Sequence, residues 1–156
     1  MEPSAPAPLS PALRAAWEHT RVRIDLGDRE ITVPAIARTP PGGVAGGGTP
    51  RPRNSALDAW GLLRERAFVV TAWNPLGREL TAAENASRHA AFAEAVRAAG
   101  VRAYPALGEA CDGSWHEEGL ALVGIETPTA WRWAWELHQL GFFEVTRAGL
   151  RIHRAR

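Results

Sequence analysis

Two apolar runs dominate the chain, residues 68–73 (FVVTAW) and 120–125 (LALVGI), and both read as strands buried on two faces. Residues 21–26 (RVRIDL) instead alternate with period two. Gly27-Asp28 turns that segment into residues 30–37 (EITVPAIA), a hairpin whose Pro34 predicts an edge position. Helical patterning covers residues 11–19, with Leu13 and Trp17 one turn apart, and residues 55–66 after a capping-box-like Ser55-Ala-Leu-Asp58. A stronger capping box, Thr81-Ala-Ala-Glu84, opens a helix over 82–99 that Gly100 should close. A further helix is predicted from Thr127 as N-cap, with Pro128 at its first position, to Gly141. Residues 101–106 form a strand whose Arg102 and Pro105 suit an edge, and Cys111-Asp-Gly-Ser114 is a turn. Residues 142–146 and 150–153 complete the strands, with Arg147-Ala-Gly149 turning between them.

From residue 68 the order is β-α-β-β-α-β with a short extra strand appended. The expected fold is therefore α+β with a ferredoxin-like split-βαβ core. That plan centres its first and third strands, which here are the two continuous apolar ones. The N-terminal helix and hairpin would extend or cover the sheet.

The 82–99 helix carries an anomaly. At 100° per residue, Phe92, Val96 and Ala99 define its buried stripe, yet Asn85 and His89 fall on that stripe and Arg88 borders it. Inward-facing polar groups require partners. One reading has Asn85 and Arg88 fasten the Trp73-Asn-Pro-Leu-Gly77 loop through its carbonyls. The other is a pocket, in which the helix N-terminus and Arg88 receive a phosphate or carboxylate.

In the split-βαβ plan the end of the first strand lies beside the start of the third. The segment Trp115-His116-Glu117-Glu118-Gly119, read as a turn, would then face the helix. The resulting candidate ligand-binding set is Trp73, Asn74, Asn85, Arg88, His89, Trp115, His116, Glu117 and Glu118. Its histidines and glutamates could also serve acid–base work. On the second helix, Trp133, Leu137 and Leu140 share a core stripe with Ala130. Trp131, Trp135 and His138 form a separate flank, read as peripheral packing against the N-terminal hairpin, with a partner or base-stacking surface as the alternative.

Composition narrows the classes. The chain has 156 residues and a net charge of +1, with acids and bases interspersed, so no global field points to nucleic acid or membrane. Residues 1–11 read as a disordered leader, and 39–53 as a flexible Pro/Gly-rich insert within a single domain over 12–154. The lone Cys111 permits no intrachain disulfide and suits a reducing cytosol. No apolar run approaches the ~20 residues of a membrane span, and a cytoplasmic location is expected. P-loop, nucleophile-elbow and dinucleotide motifs are lacking, and Cys111 and His116 have no paired zinc-ligand element, so neither cofactor nor metal is expected.

The segment Thr71-Ala-Trp-Asn-Pro75, with Leu80, Glu84-Asn85 and Arg88, resembles a bacterial family known as domain of unknown function 3293. Tyr104-Pro105, Gly108, Asp112-Gly-Ser-Trp115, Glu117/Glu118-Gly119 and the Leu-Ala-Leu-Val-Gly124 strand are similar to it too. The likeness runs over about residues 17–145 and departs in the Gly-rich insert and the Trp-rich helix. It implies a small stand-alone bacterial domain and supplies no activity or catalytic residue. The expected function is a non-catalytic binding module with an anion-accepting pocket at the N-terminus of the 82–99 helix. The alternatives are a hydrolase- or transferase-like enzyme using His89 or His116 with Glu117 or Glu118, and a protein-interaction module using Trp131 and Trp135.

Overall fold

The computed structural model describes residues 10–35 and 65–156; the insert at 39–53, the leader up to residue 9 and nearly all of the helix expected over 55–66 lie outside them. Helix α1 (Pro11–Glu18) starts at Ser10, whose hydroxyl accepts from the Leu13 N–H. Strands β1 (Thr20–Asp25) and β2 (Glu30–Pro34) form the expected hairpin around Gly27, and their alternating burial follows the period-two pattern. Strand β3 (Ala67–Thr71) leads into helix α2 (Ala82–Ala98), whose capping box is complete: Thr81 accepts from Glu84 N and the Glu84 carboxylate accepts from Thr81 N. Gly100 closes α2 at φ 70°, which brings the Val101 N–H onto the Val96 carbonyl in a Schellman closure. Strands β4 (Arg102–Ala110) and β5 (His116–Val123), helix α3 (Thr127–Glu136) and the hairpin β6 (Gly141–Thr146) to β7 (Gly149–Arg154) follow.

These strands make one antiparallel sheet in the order β2-β1-β4-β5-β3-β6-β7. The sheet curls far enough that Ala35, just past β2, bridges Leu150 of β7, so its two ends meet in a half-barrel. Alternation along the strands then fills two cores. On the outer face, Phe68, Val70, Leu120 and Leu122 pack against Phe92 and Val96 of α2 and Ala130 and Ala134 of α3. Inside the curl, Val22, Ile24, Ile31 and Val33 meet Val69, Ala121, Val123, Val145 and Leu150. Each large apolar side chain so buried contributes on the order of 2 kcal/mol.

Three expectations are corrected. Strand β4 is internal: the N-terminal hairpin adds β1 along it, and that ladder ends at Ala106, one residue short of Pro105 with its missing donor. The segment from His116 to Gly119 is no turn but the start of β5, paired with Glu109 through Ala106 of β4. Helix α3 takes Glu126 as its N-cap and ends well before Gly141, because His138 adopts the left-handed closing position at φ 58° and Gln139 N reaches the Ala134 carbonyl. Gly141 serves contact instead. A Cβ there would lie 2.4 Å from the Trp17 ring and 2.5 Å from the His153 carbonyl.

Candidate functional site

The loop after β3 is held from beneath by α2. Asn74 and Leu76 both take positive φ (45° and 57°), flanking Pro75 in a short 3₁₀ turn, Pro75–Gly77. Asn85, buried to 3 % exposure, accepts from Asn74 N at 3.0 Å and donates to Asn74 Oδ1 at 2.9 Å. Asn74 Oδ1 also receives the Leu80 N–H at 3.0 Å. Arg88 donates from Nε to the Ala72 carbonyl (2.7 Å) and from Nη2 to the Leu137 carbonyl (2.9 Å). The segment after α3 joins the same latch, since Leu76 N donates to the His138 carbonyl and the buried Gln139 donates to the Trp73 carbonyl. The two polar residues that the helix turns inward therefore fasten the loop. Of the expected anion-accepting donors, Arg88 spends Nε and Nη2 on two carbonyls, and the Thr81 and Glu84 N–H groups are taken up in the capping box.

Because His116 to Gly119 is strand, its side chains alternate, and the expected cluster divides. Glu117 points inside the curl with Gly119 and Ala121. His116 and Glu118 belong to the other face, where the His116 ring lies 5.8 Å from the Trp73 ring. Asn74, Trp115 and Glu117 line a cavity of about 220 Å³ at the mouth of the half-barrel. His89 and Glu118 line a separate one of about 200 Å³, with Arg23, Asp25 and Glu30. The two glutamates thus cannot act as a pair on one substrate. Trp131 and Trp135 line neither cavity and do not pack on the hairpin as expected. They are exposed, stack on each other at 5.2 Å, and Arg156 covers the Trp135 ring at 3.8 Å.

The larger cavity joins distant parts of the chain. Leu13 and Trp17 come from α1, Thr71 from β3, Gly108 from β4, Trp115, Glu117 and Gly119 from the turn and strand β5, and Phe143 from β6. Trp17 and Phe143 meet edge to face at 6.1 Å. Glu117 is the one charged side chain among the described residues lining the cavity. Asn74 Nδ2 donates to its Oε1 at 2.9 Å, and no hydrogen bond reaches Oε2 among the described residues. Burial raises the Glu117 carboxyl above its ordinary value of 4.5; the Asn74 bond and the charge of His116 offset this in part. Of the cavity's walls, Trp17, Phe143, Gly108 and Thr71 lie outside the candidate binding set read from the sequence. Gly108 and Gly119, glycines inside strands, are the local signal of an open surface or close approach that could have found them.

Fold and site together define an α+β domain, which among the described residues is a curled antiparallel sheet with three helices and a cavity at the sheet's mouth. Residues 70–140 match the family described as "Protein of unknown function (DUF3293)", the family that the sequence resembles. The match holds most of the fastened loop and the Asn74–Glu117 contact, and leaves out α1, β1, β2, most of β3, β6 and β7. No curated protein and no solved structure matches the chain. Among the described residues no helix is long and apolar enough to cross a membrane.

Proposed function

We propose that the protein is a ligand-binding module whose site is the cavity at the mouth of the half-barrel, with Glu117 and Asn74 as its polar anchor and Trp17, Trp115 and Phe143 as its walls. The observation that carries this reading is a single oriented carboxylate facing an otherwise uncharged, aromatic-walled space of about 220 Å³. A carboxylate confined this way costs stability, and a site for a ligand is the usual reason such a cost is kept. The strand order β4-β5-β3-β6 supports reading the sheet centre as a ferredoxin-like unit extended by the β1–β2 hairpin on one side and by β7 on the other.

The test is a thermal-shift screen of small organic compounds on the native protein and on Gly108→Val. A Cβ at Gly108 meets nothing closer than 3.8 Å, so the variant should fold while its side chain occupies the cavity. Compounds that raise the melting temperature of the native protein should lose that effect in the variant. Shifts that survive Gly108→Val would place binding elsewhere and defeat the proposal.

A further inference from the structure

We infer that the ligand class of this cavity is an organic cation, an ammonium group carried on an apolar body, with Glu117 as its counter-ion; the inference rests on the cavity being a binding site. Three features select the class. The described residues that line the cavity bring no basic side chain to it, and His116, which acts on Glu117, lies on the other face of β5, so an anionic ligand would meet a carboxylate with no basic partner inside the cavity. Among the described residues Glu117 keeps one oxygen, Oε2, without a hydrogen-bond partner, while Asn74 fixes the other at 2.9 Å and so aims the group. The walls include three aromatic rings, Trp17, Trp115 and Phe143, the side chains whose π systems attract a cation.

The alternation of β5 sharpens the selectivity. Glu118 and the basic Arg23 lie on the opposite face, in the second cavity, so neither adds charge to the first. A lone carboxylate against one ammonium is charge-neutral, whereas a dication would leave one charge unpaired in a poorly solvated space.

The experiment uses four probes of similar shape: 3-phenylpropylamine, its trimethylammonium analogue, neutral propylbenzene and anionic 4-phenylbutyrate. Binding is followed by ligand-observed NMR on the full chain, on Glu117→Gln and on Gly108→Val. The amine and the quaternary ammonium should bind the native protein, weaken by about tenfold or more in Glu117→Gln, and be lost in Gly108→Val. The neutral probe should bind the native protein and Glu117→Gln alike, and the anion neither. If the neutral or anionic probe matches the ammonium probes, or Glu117→Gln leaves them unchanged, the cation assignment fails while the cavity stands as a site. If none of the four binds, or Gly108→Val alters nothing, the cavity itself is not the site. Glu117→Gln keeps the side-chain shape and the acceptor for Asn74, so a loss confined to cations is not a folding effect.

Discussion

Asn85 and Asn74 exchange two hydrogen bonds, one from a backbone N–H and one from a carboxamide, and Asn74 passes the restraint on to Glu117. The polar residue on the core face of α2 thus orients, at one remove, the carboxylate of the cavity. Removing it should be costly. Asn85→Ala leaves the Asn74 N–H and Oδ1 short of partners inside the protein, and should lower the unfolding free energy by about 2–3 kcal/mol. Urea denaturation reads this directly. A loss below about 0.5 kcal/mol, the level of an ordinary surface substitution, would mean that the loop does not depend on Asn85.

Arg88 reaches two carbonyls from two elements, the end of β3 and the end of α3, with separate nitrogens of one planar group. Lysine keeps the charge but not the fork. Arg88→Lys should therefore cost about 1–2 kcal/mol, nearer to alanine than to the native residue. Full retention of stability by lysine would show that charge, not the two-pronged contact, is what the site requires.

Leu76 occupies left-handed backbone, φ 57°, with a side chain 56 % exposed. An L-residue other than Asn or Gly pays for that conformation, and little apolar burial repays it here. Leu76→Gly should raise stability, by up to about 1 kcal/mol after the entropy of glycine is subtracted. A higher urea midpoint at unchanged slope is the expected result.

Glu117 has its carboxyl raised by burial in the folded chain. For such a group the folded state binds the proton more tightly, so its stabilising contribution is complete below the unfolded value and disappears as pH rises through the folded one. At neutral pH the native protein thus bears a penalty that Glu117→Gln does not. The variant should melt higher than the native protein at pH 7–8, and the difference should shrink as pH falls below about 4, where the glutamate becomes protonated in both states. A gap that widens on acidification would have the wrong sign.

Two strand glycines separate crowding from open space. A Cβ at Gly119 would sit 2.7 Å from the Val70 carbonyl oxygen, whereas one at Gly108 finds its nearest atom at 3.8 Å. Gly119→Ala should cost about 1–3 kcal/mol through forced backbone movement, and Gly108→Ala should stay within about 0.5 kcal/mol of the native protein. Paired thermal melts of the two variants decide it.

Much of the local structure of the described residues was legible. The Thr81–Glu84 box, the Gly100 closure and the Gly27 hairpin each rest on contacts a few residues apart, and periodicity alone turned Asn85 inward. The same reading placed Glu117 and Glu118 together, because a turn would have allowed it. Strand pairing from Glu109 to Ala106 extended β5 over both residues, and one step along a strand reverses the face. The sequence by itself therefore determined what neighbours within a turn of helix or a tight hairpin can satisfy: caps, closures, and which side of each element is apolar. Only the tertiary structure decided that β1 would cover β4, that Trp17 would sit on Gly141, and that the half-barrel would close over one carboxylate and not its neighbour. Those outcomes depend on register and curvature between segments far apart in the chain, and no local spacing encodes which distant strand supplies the missing hydrogen bonds.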